Sequence, residues 1–476
     1  MSNSIVYKII GLILVAMLPN RSSKNDALLF SKDNFTVKTK TVNTSNGIVK
    51  VVYRAYMHIP YVANPVDKNY QSLNVFVPVR INDKETNTSN APVYYSIRVG
   101  GYMPVNNTED NTFGNENGNS REDYALVAGM VVVVPGCRGR VNKTDHGTYF
   151  GKAPAAIVDL KAAVSYIKHN KGVIPGNVDK IVSVGCSAGG ALSALLGASG
   201  TSEMYKPYLE EIGAANAPDN VFASVCYSPI TDLEHADMAY EWMYGQIPTR
   251  SGLVDQSLSE KLKEQYVDYQ ISLNLNGKDG FGILSADNYR TYLLTYYLQP
   301  SVMHYLASLP DKESAKYLAE NKWIDWQDGK ATFSFDNYLN HVGRMKGLPA
   351  FDDFEMRSPE TALFGTEDTN TRHFTEFSLS HSEKTTQNEI SDELKGKINM
   401  MNAMFFILNN NEGCAPNWWL RNGTSDNHTS QTVMINLATA LENNNKNVNT
   451  ELFWDGGHCA DFDPEGLINW ITEICR

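Results

Sequence analysis

Ile181-Val182-Ser183-Val184-Gly185-Cys186-Ser187-Ala188-Gly189-Gly190 is the stretch whose reading decides the fold. Residues 181–185 are a short β-branched run, which predicts a buried strand. From 188 to 196 the residues are small and apolar, which predicts a helix. Gly-x-Ser-x-Gly lies between them, and a strand before with a helix after is the context in which it marks a nucleophilic serine. Only small residues fit beside Ser187 in so tight a turn. The first N–H groups of the helix are there to stabilise negative charge.

Outward from that turn the pattern alternates. Upstream, residues 130–135 are mostly valine, as expected of a strand buried on both faces of a parallel sheet. Between 153 and 170, Ala156, Leu160, Ala163, Val164 and Ile167 recur at helical spacing. Residues 222–229 read as the next strand. This β-α-β-α-β order predicts a doubly wound, mostly parallel sheet. Further strands are expected at 35–42, 51–59, 73–79 and 93–99, where β-rich runs are broken by Asn, Asp, Pro and Gly.

From about 231 to 410 the sheet rhythm stops, and the chain reads as largely helical. It resumes with a strand at 418–423, a helix at about 430–442, a strand at 450–454 and a last helix at 465–475. The expected organisation is an α/β-hydrolase core, residues 26–230 and 411–476, interrupted by a lid of residues 231–410. Connections leaving the carboxyl ends of such strands border the site, so the insertion is expected to cap it.

A serine hydroxyl needs a base to take its proton. Of ten histidines, His458 stands in Trp454-Asp455-Gly456-Gly457-His458, after the last expected strand and before the last helix. That is where this fold keeps its base. Asp426 is the only carboxylate between Trp418 and Leu441, which makes it the acid that orients the imidazole. His169, His235 and His381 read as surface or packing residues. Oxyanion donors are expected from the Ala188 N–H and from Val99-Gly100-Gly101-Tyr102, with Gly101 preferred to Gly100.

The chain has six cysteines. Cys186 precedes the serine and Cys459 follows the histidine, so contact between serine and histidine would bring the two thiols within disulfide range. A disulfide there implies an oxidising compartment; two unrelated buried thiols are the alternative. Cys137, Cys226, Cys414 and Cys475 are expected to stay unpaired. Residues 9–18 are an apolar run after Lys8, too short to span a bilayer, and residues 1–25 read as an export signal. A secreted or periplasmic location would follow. A net charge of -12 argues against nucleic acid or an anionic membrane as partner, and no later segment is long and apolar enough for integral membrane association. No metal-ligand spacing stands out, and neither metal nor cofactor is expected.

Several further motifs belong together. They are Val99-Gly100-Gly101-Tyr102, Cys137-Arg138-Gly139-Arg140, Gly151-Lys152-Ala153-Pro154-Ala155, the run from Leu233-Glu234-His235 to Tyr240-Glu241-Trp242, Arg344-Met345-Lys346 and Ser358-Pro359-Glu360. With the nucleophile segment they make the chain, from about Leu73 onward, resemble the bacterial tannases of the tannase and feruloyl esterase group. The resemblance implies a serine esterase acting on a small phenolic ester, with Ser187, Asp426 and His458 as its triad. It also implies that Lys346 and Glu360 bind the phenolic hydroxyls of a galloyl ring. Where the family has a third residue, an Asp, this chain has His428. The paired cysteines resemble the fungal-type members. Hydroxycinnamoyl esters such as ferulates are the alternative substrates. Taken without the resemblance, Lys346 and Glu360 would read as an ion pair on the surface of the lid.

Overall fold

The computed structural model describes residues 28–107, 120–383, 385, 387–409 and 412–476, so the expected export signal lies outside the described residues. Nine strands form one sheet: β1 (Thr36–Thr44), β2 (Gly47–Pro60), β3 (Ser72–Ile81), β4 (Pro92–Ile97), β5 (Val131–Pro135), β6 (Asn177–Cys186), β7 (Ala223–Tyr227), β8 (Asn417–Gly423) and β9 (Asn447–Phe453). A two-residue strand, Lys84–Glu85, adds to the edge of β3. The order is β1-β2-β3-β5-β4-β6-β7-β8-β9. Strands β1, β2 and β3 are antiparallel to their neighbours, and from β5 to β9 every pairing is parallel. This is the α/β-hydrolase fold.

The valine run shows why the middle of the sheet is buried on both sides. Successive strand residues point to opposite faces. Val131 and Val133 join an apolar cluster with helices α2 (Ala155–His169) and α3 (Ala188–Ser199). Val132 and Val134 join a second cluster, with α1 (Arg121–Val127) and the last helix (Pro464–Ile474). Burying each such side chain contributes about 1.5–3 kcal/mol. The sequence reading passed over α1. Its signal was legible, because the Ser120 hydroxyl and the Asp123 carboxylate cap each other's backbone N–H groups, a reciprocal box spelled Ser-x-x-Asp.

Between β7 and β8 lies the insertion. Its helices include α4 (Leu233–Tyr244) and α5 (Gln256–Ser272), with two small β-ribbons at 276–283 and 325–332. The apolar core continues into it without a break: Tyr240, Trp242, Tyr289 and Phe351 belong to the same cluster as α2 and α3. The insertion is largely helical, as expected, but residues 343–358 run as irregular backbone before the short helix Pro359–Leu363. Gly343, Gly347 and Pro349 interrupt any helical pattern there. No helix among the described residues is long and apolar enough to cross a membrane.

Candidate active site

Ser187 sits between the end of β6 and the start of α3, at φ 60° and ψ -125°. A non-glycine residue in that region is strained, and the strain persists because the neighbours over-determine it. The Ser187 N–H donates to Tyr227 O at 3.0 Å, and the Gly189 N–H donates to Val99 O at 2.9 Å. A Cβ on Gly189 would lie 2.8 Å from Val99 O, and one on Gly190 would lie 2.7 Å from Tyr227 O. Glycine at both positions is therefore what lets the turn approach β4 and β7. The Ala188 N–H is the first of α3, among the groups a helix leaves without an internal partner.

The loops after β8 and β9 bring Asp426 and His458 together. His458 Nδ1 lies 2.9 Å from Asp426 Oδ2, and Asp426 is fully buried. Burial alone would raise the Asp426 pKa, but the hydrogen bond and charge of His458, with the His428 N–H at 3.0 Å, hold it below the ordinary carboxylate value. An ionised carboxylate only accepts, so Nδ1 carries the proton and Nε2 is left as the acceptor. A disulfide joins Cys186 to Cys459, with Cα atoms 5.8 Å apart, and so tethers the histidine loop to the serine turn. Among the described residues no hydrogen bond joins Ser187 Oγ to the imidazole. Such bonds are often long before substrate binds.

The sequence reading missed Ser228. It is fully buried with φ 43°, its hydroxyl accepts the Cys459 N–H at 3.0 Å, and it donates to Asn422 Oδ1 at 2.7 Å. Nothing in Ser228-Pro229 marks this role, which depends on three loops meeting.

Ser187 and Gly101 open into a cavity of about 610 Å³ that also exposes Lys346, Glu360 and His428. Lys346 and Glu360 make no ion pair within 4.0 Å among the described residues, and Glu360 is buried rather than on the surface. Burial lowers the Lys346 pKa and raises that of Glu360, and in each case it outweighs the attraction between them. Lys346 Nζ stands 3.4 Å from the centroid of the Phe351 ring. His428 does not point away from the reaction centre. Its ring stacks on His458 at 3.9 Å with 3° between the planes. Burial, then the nearby His458 and Lys346, lowers its pKa, against the pull of Asp426.

The remaining motifs act as supports. Arg140 Nε donates to Gly101 O at 2.7 Å, which fixes the peptide after Gly101. Lys152 Nζ donates to Arg140 O, Ala362 O and Asn370 O at 2.7–2.9 Å, tying that loop to the helix of Glu360. Arg344 pairs with Glu241 of α4, both side chains fully buried, and donates to Lys346 O at 2.8 Å. Cys137, Cys226, Cys414 and Cys475 are free thiols. Asp426, His428 and His458 present ligand atoms within 4.8 Å of one another. The two imidazoles are parallel, however, so their in-plane lone pairs do not converge on one ion at the ~2.0–2.1 Å that zinc requires.

Residues 81–267 match the family model described as BD-FAE. No curated protein matches the chain. Among solved structures, the chain is similar to a Fusobacterium nucleatum tannase at 37% identity and a TM-score of 0.83, over 94% of this chain and 99% of that one. It is similar to the native tannin acyl hydrolase of Lactobacillus plantarum at 32% identity, TM-score 0.83, over 95% and 100%. A tannin acyl hydrolase in complex with ethyl gallate matches at 33% identity, TM-score 0.83, over 95% and 100%.

Proposed function

The chain belongs to the bacterial tannase family of carboxylic ester hydrolases, and from that footing we propose that it cleaves galloyl esters through Ser187, His458 and Asp426. The observation that carries the reading is the convergence of three loops. The histidine loop is bonded to Asp426 on one side and tethered by a disulfide to the serine turn on the other. In the proposed reaction Ser187 Oγ attacks the ester carbon while His458 Nε2 takes its proton. The oxyanion is held by the Ala188 N–H and by the loop of Gly101. Collapse breaks the bond to the alcohol oxygen, which leaves with the proton from His458. Water then adds to the acyl-serine by the same route in reverse roles and releases the acid.

In the acyl cavity, Lys346, Glu360 and His428 are proposed to bind the ring hydroxyls. A lysine and a carboxylate that face one cavity unpaired are each desolvated, and a phenolic hydroxyl can donate to one and accept from the other. Ethyl gallate in the related structure is a ligand of this type. Residues 231–410 are proposed as the lid, because they supply Lys346 and Glu360 to a site whose serine, histidine and aspartate come from the sheet. The disulfide also favours an exported enzyme.

A hydroxycinnamoyl esterase is the second reading. It is favoured by His428, which lacks the fixed charge of the family's aspartate. Initial rates on methyl gallate and methyl ferulate separate the two: faster gallate cleavage is expected, and faster ferulate cleavage would reverse the assignment. Ser187→Ala is expected to lose about four to six orders of magnitude in kcat on either ester. Residual turnover near the wild-type rate would overturn the serine mechanism.

A further inference from the structure

His458 is held on both sides, and one of the holds comes from the insertion. After it, Cys459 is bridged to the serine turn, and its N–H reaches the Ser228 hydroxyl. Before it stand Gly456 and Gly457, whose missing Cβ atoms leave the backbone the widest conformational choice. The last side chain ahead of them is Asp455, at φ 53°. Asp and Asn are among the few residues with a side chain that settle in this left-handed region. Resting on the reading of Ser187, His458 and Asp426 given above, we infer that Asp455 is a positioning residue for the reaction. It fastens the loop of His458 to the loop of Asp426, and it carries the hold of the insertion, through Tyr317 and His341, to both.

One set of bonds joins the two loops. The Asp455 N–H donates to Thr424 Oγ1 at 2.8 Å, the Thr424 N–H to Phe453 O at 2.9 Å, and the Ser425 N–H to Gly456 O at 2.9 Å. The loops run so close that a Cβ on Gly423 would collide with Gly456 O. A second set comes from the insertion. Tyr317, on the helix Asp311–Glu320, donates its hydroxyl to Asp455 Oδ2 at 2.5 Å and accepts the Trp454 Nε1–H at 2.6 Å. His341, on the helix Phe335–Val342, places Nε2 2.8 Å from Asp455 Oδ1. From the same helix the Tyr338 hydroxyl donates to Thr424 O at 2.7 Å. Burial would raise the Asp455 pKa, but His341 and Tyr317 hold it below the ordinary value, so the carboxylate accepts from both. The side chains of His341 and Asp455 are 27% and 31% exposed, and pairs so open to water add little to stability. What the contact supplies is direction. A misplacement of about 1 Å in a group that must take a proton from a hydroxyl can lower a rate about 100-fold.

The test uses initial rates on methyl gallate. Asp455→Gly keeps the left-handed backbone but removes the carboxylate, and is expected to lower kcat about tenfold or more with KM within about twofold. Asp455→Asn keeps the backbone and the bonds, since the amide accepts from Tyr317 and donates to the other tautomer of His341. It should recover kcat to within about threefold of the unmodified enzyme. Tyr317→Phe, which leaves both loops untouched, should lower kcat as well, and combined with Asp455→Gly it should lose no more than Asp455→Gly alone. An unchanged kcat in Asp455→Gly, a loss carried by KM, an Asn variant no better than the Gly variant, or losses that multiply in the double variant would each overturn the assignment. If Asp455→Gly does not fold, Tyr317→Phe decides: a lowered kcat at unchanged KM supports the role, and an unchanged kcat overturns it. The reading underneath fails separately. Full turnover by Ser187→Ala would remove the serine mechanism, whereas an inactive Ser187→Ala beside a fully active Asp455→Gly would remove only the role of Asp455.

Discussion

The serine turn and the Lys346 loop face the same cavity but are held in place by different physics. Around Ser187 the constraints are backbone ones: N–H groups donate to Tyr227 O and Val99 O, and glycines stand where no side chain fits. Around Lys346 the backbone is irregular, and side chains hold it. Arg344 is buried against Glu241, Tyr240 Oη accepts the Lys346 N–H at 3.1 Å, and the same hydroxyl donates to Asn427 O at 3.0 Å beside Asp426. Asp237, one turn before Glu241 on α4, accepts the Phe351 N–H at 2.6 Å. A sheet-borne turn is rigid by local geometry, whereas the pocket around Lys346 is only as rigid as a few long-range polar contacts. Loss of one such contact should loosen substrate binding before it touches the chemistry.

The largest effect that would sharpen this contrast comes from the disulfide. In the chain-entropy model a bridge across 273 residues stabilises by at most about 5–6 kcal/mol. Reduction, or Cys186→Ala with Cys459→Ala, is expected to lower both Tm and kcat, because His458 loses its tether to the serine turn. Calorimetry and initial rates, with and without reductant, measure it. An unchanged kcat would show that the loop holds itself.

Next in size is Arg344→Met. Leaving Glu241 buried without its partner is expected to cost about 3–5 kcal/mol in denaturant unfolding. In whatever folds, KM for methyl gallate should rise more than kcat falls. The reverse split would mean that this loop positions the chemistry and not the ring.

The smallest effect concerns His428. Its pKa is depressed, so it stays neutral at pH 7 and takes a proton only below the ordinary histidine range. Once protonated, it would oppose the imidazolium that His458 must become, at a ring distance of 3.9 Å. Activity should then fall on the acid side with a limb approaching two protons. His428→Asn should raise KM for methyl gallate at every pH, through the lost ring contact, and make the acid limb shallower. An unaltered limb would show that the stacked ring carries no charge into the working range.

How much of this was legible beforehand follows the same division. The strand, turn and helix around Ser187 are written in consecutive residues. The loops of Asp426 and His458 could be found because each follows a recognisable strand. Lys346 and Glu360 came only through family resemblance. By local reading alone they were a surface ion pair, and the fold instead buries Glu360 and leaves the two unpaired across a cavity. Ser228, with its bonds to Cys459 and Asn422, had no sequence signal at all.

The amino-acid sequence by itself determined the doubly wound sheet, the strand, turn and helix around Ser187 and the order in which the proposed serine, acid and base occur. Periodicity and glycine placement are properties of neighbouring residues, so a linear reading can find them. Only the tertiary structure decided that His428 stacks on His458 and that α4 fastens the Lys346 loop. Those features arise from contacts between residues up to hundreds of positions apart, whose distances no local pattern encodes.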